Sequence, residues 1–483
     1  MILAVIGHSF RYETENVIRI FFPLEKITVV EEMPSTAENT VVTYLKDGIA
    51  GCIVDIDGKR YGKESFAGSD DKETELIIAQ LLYCALTQIT GLTPPWGILT
   101  GVRPSKLMRN LISENGEDNA TDYFRNKLYV TDKKTQLALS VARAEDRIIS
   151  LSGEKSFSLY ISIPFCPTRC SYCSFVSHSV AQAKKLIPDY VKLLCREIGE
   201  ISVIARELGL KLETIYFGGG TPTSLDADYI RDITSAVAEN FDVSSVREYT
   251  IEAGRPDTLD REKLSVMKNA GVTRISINPQ TFNAAVLENI GRKHTPEKTL
   301  EAFSMARDAG FDNINMDFIA GLPGDTAESF ANSIDTAVSL APENITVHTL
   351  ALKRAANLVT NGEADTVYRE TAKMLEYSNS ELYKNGYFPY YMYRQSKTVG
   401  NNENVGWSIE GRECLYNIYM MEEIHTVLAA GGGAVTKLKN PFENKIERIF
   451  NFKYPYEYIS RFDELSERKK YINEFYGKIF NEH

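Results

Sequence analysis

Residues 156–175 read SFSLYISIPFCPTRCSYCSF, and the fold follows from how that stretch is read. Its first half, SLYISIP, is a short apolar run rich in β-branched and aromatic residues, the pattern of a buried strand. Its second half places Cys166, Cys170 and Cys173 in one loop directly after that strand. Downstream the rhythm repeats. TIYFGG, YTIEAG, TRISIN, NINMDFI and NITVHTL are five more apolar segments. Amphipathic stretches such as YVKLLCREIGEISVIARELG and TLEAFSMARDAG lie between them. Strand–helix alternation of this kind implies parallel strands joined by right-handed crossovers. Six units are too few for an eight-stranded barrel, so the pattern predicts a partial, open-sided barrel of (β/α)6 type. The unusual loops all fall at the C-terminal ends of strands, where barrels keep their chemistry.

Outward from this core, residues 1–65 read as strands: VIRIFFP, KITVV, TVVTYL and GCIVDIDGKRYG, with Asp–Gly turns. From Glu73, ETELIIAQLLYCALTQITG has helical spacing and stops at Gly91. Ser152–Lys155 reads as a linker. The expected division is 1–153, an α+β domain; 154–360, the barrel; and 361–483, a mostly helical C-terminal extension closing the substrate side. The whole is an α/β protein.

Lys and Arg number 54 against 65 Asp and Glu, a net charge of −11. This argues against a nucleic-acid partner. No apolar run approaches the roughly 18 residues that span a bilayer, and the first residues lack a basic leader, so a cytoplasmic protein without membrane contact is expected. Seven Cys, an odd number with three clustered, fit a reducing compartment and a metal site more than a disulfide framework. Three thiolates select zinc, copper(I) or an iron–sulfur cluster. Zinc would want a fourth ligand, for which His178 is nearest. A 4Fe–4S cluster accepts three thiolates if a small molecule takes the fourth iron. Gly218–Gly219–Gly220–Thr221 frees the backbone for close approach to a ligand, or simply turns the chain.

The Cys spacing after the first β/α strand, with the Gly-rich turn one unit later, resembles the radical S-adenosylmethionine (SAM) superfamily. The resemblance implies a 4Fe–4S cluster on Cys166, Cys170 and Cys173, with SAM chelating the fourth iron. Further matches narrow it: Tyr160 in LYISIPFC, Glu252 in YTIEAGRPDTL, Gln280 in INPQTFN, Arg292 in IGRKH and Asp317 in NMDFIAGLPGDT. These resemble the oxygen-independent coproporphyrinogen III oxidase/dehydrogenase family. WGILTGVRPSKL, PYYMYRQ, ENVGW and GRECLYNIYMMEE extend the likeness to its HemZ-like branch, which has a longer N-terminal domain.

That resemblance implies that Tyr160, Gly219 and Glu252 contact the SAM on the cluster. Tyr172, Gly220, Thr221, Gln280, Arg292 and Asp317 match positions that hold a second SAM in the decarboxylating enzymes, and Thr349 joins them by a looser match. The implied reaction turns two propionates of coproporphyrinogen III into vinyl groups, giving protoporphyrinogen IX by way of a 5′-deoxyadenosyl radical. The implied partners are the tetrapyrrole and a reductant protein of flavodoxin or ferredoxin type. One departure is Phe175, where the decarboxylases carry a fourth Cys. The heme-chaperone branch shares it, so a heme carrier is the alternative, and another radical reaction on a tetrapyrrole a third. Lys353, Arg354, Arg394 and Lys397 are candidate partners for the propionates. Gly431–Gly433 either closes over SAM or is a plain turn. Cys52, Cys84, Cys195 and Cys414 read as core. His8, His348 and His425 read as structural.

Overall fold

The computed structural model describes residues 1–23, 25–34, 39–174, 177–351, 364–395, 401–443 and 445–482. The chain divides into two compact units.

The first unit spans Met1–Arg143, with Ala351–Ala364 and Met392–Glu403 returning to it. Its sheet runs in the order β2-β1-β3-β4-β5. The strands are β1 (Ile2–Ile6), β2 (Thr28–Val30), β3 (Thr40–Lys46), β4 (Ile49–Ile56) and β5 (Lys59–Phe66). One expectation fails here. VIRIFFP is not a strand but the end of a helix, α1 (Arg11–Phe21), with Thr14, Val17, Ile18 and Phe21 buried. Those positions recur at three and four residues, which is helical, and the local run of β-branched residues hid it. Burying Val17, Ile18 and Phe21 contributes about 1.5–3 kcal/mol each. Helix α2 (Asp71–Thr90) forms as expected. The Asp70 carboxylate accepts from the Glu73 amide, and Gly91 closes the helix in the left-handed region at φ 72°.

The second unit holds Ala144–Leu350, Asp365–Tyr391 and Asn404–His483. Its six expected strands are β6 (Ser156–Ile163), β9 (Lys211–Gly219), β10 (Glu248–Glu252), β11 (Arg274–Ser276), β12 (Ile314–Ala320) and β13 (Asn344–Thr349). All neighbours among them pair in parallel, in chain order. A two-stranded ribbon, β7 (Phe165–Cys166) with β8 (His178–Ser179), interrupts the first crossover. Three of the crossover helices start on side-chain caps. Asp260, Thr295 and Thr326 accept from the amides of Lys263, Lys298 and Ser329.

The C-terminal region carries long helices at Ala364–Lys384 and Phe462–Glu482, and adds strands to the same sheet. These are β14 (Phe388–Arg394), β15 (Glu403–Ser408), β16 (Thr426–Ala430), β17 (Val435–Lys439) and β18 (Ile446–Phe450). β16 pairs in parallel with β6, Thr426 opposite Phe157, and so supplies a seventh parallel strand. β15 pairs antiparallel with β13. The complete order is β14-β15-β13-β12-β11-β10-β9-β6-β16-β17-β18, an open sheet. The boundary expected at 360/361 therefore does not separate compact units, because strands after it hydrogen-bond to both sides of the barrel strands. Among the described residues no helix is long and apolar enough to cross a membrane.

Candidate active site

The C-terminal ends of β6, β9 and β10 bring aromatic and acidic side chains together. Tyr160 of β6 stacks near Tyr216 of β9 and Tyr416, with ring centroids 6.3 and 6.0 Å away. The Tyr216 hydroxyl donates to Glu252 Oε1 at 2.6 Å. Burial, together with the nearby Asp317 carboxylate, pushes the Glu252 carboxyl up to about 7 despite that bond. Burial and the Glu252 charge likewise raise the Tyr160 phenol. Asp317 on β12 accepts from Asn315 Nδ2 at 2.7 Å and faces His348 Nε2 of β13 at 3.9 Å. His348, read from the sequence as structural, thus stands beside Asp317.

Gln280 stands at the end of the β11 segment with φ 69°, a left-handed conformation that is rare for a non-glycine residue. It is held there by two backbone bonds: its amide donates to Asp317 O, and its carbonyl accepts from Ile319 N. Such strain persists only where surrounding structure fixes it, and it clusters at functional sites.

The Cys loop is pressed onto these strand ends from above. The Gly220 amide donates to Ile163 O and the Thr221 amide to Phe165 O, each at 2.7 Å. A Cβ on Gly220 would stand 2.5 Å from Phe165 O, so only glycine allows this approach. Gly219 adopts φ 105°, beside Ser162 Oγ. Cys166 Sγ lies 3.5 Å from Thr221 Oγ1 and borders a cavity of about 410 Å3 with Arg169, His178, Gln182 and Tyr454. Cys170 is buried, while Cys166 and Cys173 are half-buried, and none of the three is in a disulfide. Arg292 ties the loop down. Its Nε and Nη2 donate to the Tyr172 hydroxyl, and its Nη1 donates to Gly254 O and Asn278 O. Arg255 does the same from β10's end, donating to Thr168 Oγ1 at 3.0 Å with Cys170 Sγ 4.0 Å away.

The structure thus joins Tyr160, Glu252, Asp317 and Gln280 in one group, and Tyr172 with Arg292 in another. Thr221 sits on Cys166. Thr349 ends β13 opposite Ala320 of β12, its amide bonded to Asn404 Oδ1. Among the described residues no three His, Cys, Asp or Glu side chains already lie at metal-holding distances. The three thiols share the loop without converging on one point. Arg394 is not available to a substrate. It is buried over Trp96, and its guanidinium donates to the carbonyls of Leu99 and Asn401. Lys353, Arg354, Lys397 and Phe175 lie outside the described residues. Gly431–Gly433 is the turn between β16 and β17. It is fixed to β6 by Ser162 Oγ donating to Gly432 O, and to a buried Glu197 by the Gly431 amide. Cys52 and Cys414 are buried as expected, but Cys84 and Cys195 are only half-buried. Arg255, Tyr216 and Tyr416 were not anticipated. The only sequence signal for Arg255 was its place three residues after Glu252.

The radical SAM superfamily model matches residues 160–337. The chain is 38% identical over 428 residues to the Bacillus subtilis oxygen-independent coproporphyrinogen-III oxidase-like protein HemZ, covering 87% of this chain and 84% of that one. It belongs to that family. The same organism's heme chaperone HemW is 33% identical over 310 residues, 62% of this chain and 77% of that one. The solved coproporphyrinogen III oxidase HemN of Escherichia coli shares the fold, with a TM-score of 0.52 and 22% identity over 67% of this chain and 73% of that one. As a radical SAM protein of the HemZ-like branch, the chain uses a 4Fe–4S cluster and SAM as cofactors. The residues present fit that pair. The donor set is three thiols on one loop, and the buried guanidinium groups of Arg255 and Arg292 face Cys170.

Proposed function

We propose that this HemZ-like protein catalyses the oxygen-independent oxidative decarboxylation of two propionates of coproporphyrinogen III, yielding protoporphyrinogen IX. The observation that carries the reading is the extent of the likeness. It reaches 87% of this chain and 84% of the HemZ relative's length. In this reading Cys166, Cys170 and Cys173 hold three irons of the cluster. With SAM bound beside it, and with a flavodoxin- or ferredoxin-type protein as electron donor, the cluster would supply 5′-deoxyadenosyl radical chemistry.

The chain's own residues bind and orient. Glu252, ionised, accepts from ribose hydroxyls, and the Tyr216 hydroxyl keeps that carboxylate aimed. Tyr160 packs beside it, and Gly219 presents bare backbone to the amino group. Asp317, Gln280, Thr221, Gly220 and Thr349 would line a second SAM position. Arg292 and Tyr172, bonded to each other, position the Cys loop against it. The packed tyrosines exclude water from the strand ends.

A second reading has support of its own. Ser174–Phe175 stands where the decarboxylases carry their fourth Cys, and HemW chaperones are among the relatives. Anaerobic reconstitution with iron and sulfide, followed by dithionite, SAM and coproporphyrinogen III, separates the two. Protoporphyrin after oxidation, together with 5′-deoxyadenosine, is the expected result. Stoichiometric heme binding with no carbon dioxide release would transfer the function to heme carriage.

A further inference from the structure

Arg255 is a buried cation whose surroundings are built around it. Its Nε and Nη2 form a two-pronged pair with Asp257, both distances 2.9 Å. The intervening turn is closed by the Thr258 amide and hydroxyl, which both donate to Arg255 O. With the fork fixed from behind, Nη1 projects forward to Thr168 Oγ1 at 3.0 Å and lies 4.0 Å from Cys170 Sγ. The side chain is 3% exposed. A guanidinium is seldom buried at such a depth without a partner in full contact. Here the carboxylate occupies one edge, and the Nη1 corner is shared between the Thr168 hydroxyl and the sulfur. The other charged groups facing this point are Arg292 and Asp257. His294, 3.9 Å from Asp257, is held neutral by burial.

We infer that Arg255 sets the reduction potential of the cluster: its fixed positive charge beside the Cys170 sulfur stabilises the electron the cluster accepts. This rests on the reading that Cys170 is a cluster ligand. Cluster potentials follow net charge, burial and hydrogen bonds to the sulfurs, so a cation anchored at this distance shifts the one-electron couple upward. A brace that merely held the loop through Thr168 would have no such signature, which makes Arg255 a positioning residue with an electrical readout.

The test is an EPR-monitored redox titration of the reconstituted full-length protein, without SAM or substrate. Arg255→Gln is expected to lower the midpoint. At the wild-type midpoint the ratio of reduced to oxidised cluster falls about tenfold, about 59 mV for one electron. Arg255→Lys, which keeps the charge and loses the fork, is expected to stay near wild type. Asp257→Asn, which removes the counter-charge, is expected to move the midpoint upward. Opposite signs for Arg255→Gln and Asp257→Asn mark electrostatics. Shifts of the same sign, or a full cluster with an unmoved midpoint in Arg255→Gln, would overturn the inference. If Arg255→Gln takes up no cluster, Asp257→Asn and Arg255→Lys still decide it. A wild-type protein that takes up no cluster would instead defeat the ligand assignment, and iron and sulfide content reports that separately.

Discussion

Glu248 and Glu252 stand four residues apart on β10 and, by the alternation of the strand, on the same face. Glu248, at the N-terminal end, accepts from the amides of Leu415 and Tyr416 at 2.6 and 3.3 Å and from the Cys414 thiol at 3.4 Å. Neighbouring carboxylates at that end are equally well supplied. Glu213 accepts from Ser156 and Arg247, and Glu343 from Arg307 and the Ile314 amide. Glu252, at the C-terminal end, has the Tyr216 hydroxyl and a second carboxylate, Asp317, nearby. One end of the barrel spends its polar groups on holding the C-terminal segment in place. At the other, Glu252 accepts from the Tyr216 hydroxyl and retains acceptor capacity that a ligand can fill.

The sharpest test of that division is removal of a thiol. Cys170→Ala is expected to abolish cluster uptake and SAM cleavage, read by iron content and visible absorption, whereas Cys414→Ser at the opposite end should keep both. Next in size is the carboxylate pair itself. Glu248→Ala strands two backbone amides and should cost about 3 kcal/mol in denaturant unfolding. Glu252→Gln should cost under about 1 kcal/mol, since it removes a charge that burial already disfavours. Equal losses would erase the distinction between the ends. Gly220→Ala is expected to destabilise by about 2 kcal/mol, because the atom in its way is the Phe165 carbonyl, a backbone group that cannot swing aside.

The smallest effect is the most specific. Glu252 has its carboxyl raised to about 7 from an ordinary 4.5. A raised carboxyl favours the folded chain while protonated, so its contribution to stability is complete below about pH 4.5 and is lost as pH rises through 7. SAM, a cation with ribose donors, prefers the ionised form. Its affinity should therefore climb with pH up to about 7 and then level off. Glu252→Gln should bind SAM about tenfold more weakly, about 1.4 kcal/mol, and flatten the pH profile. Calorimetric titration between pH 5.5 and 8.5 reads both.

Much of this arrangement was legible in the sequence, for identifiable reasons. The six parallel strands are apolar on both faces, which makes them stand out as runs, and the Cys spacing is too tight to be accidental. VIRIFFP was misread because a short run of β-branched residues suits strand and helix alike. β16 went unrecognised because its partner, β6, lies some 270 residues earlier and no local signal announces such a pairing. Arg394 read as a substrate cation because sequence does not distinguish a solvated guanidinium from one spent on backbone carbonyls. Arg255 drew no reading and His348 a structural one for the converse reason: each owes its surroundings to residues remote in sequence, Thr168 and Cys170 for the first and Asp317 for the second.

In the proposed reaction the strand-end group around Glu252 and Asp317, beside the Cys loop, places SAM against a tetrapyrrole propionate. Coproporphyrinogen III deuterated at the propionate β-carbons tests it most directly, with 5′-deoxyadenosine analysed by mass spectrometry after anaerobic turnover. Deuterium in the 5′-deoxyadenosine and a vinyl-bearing product are expected. Unlabelled 5′-deoxyadenosine with the tetrapyrrole returned intact would contradict it.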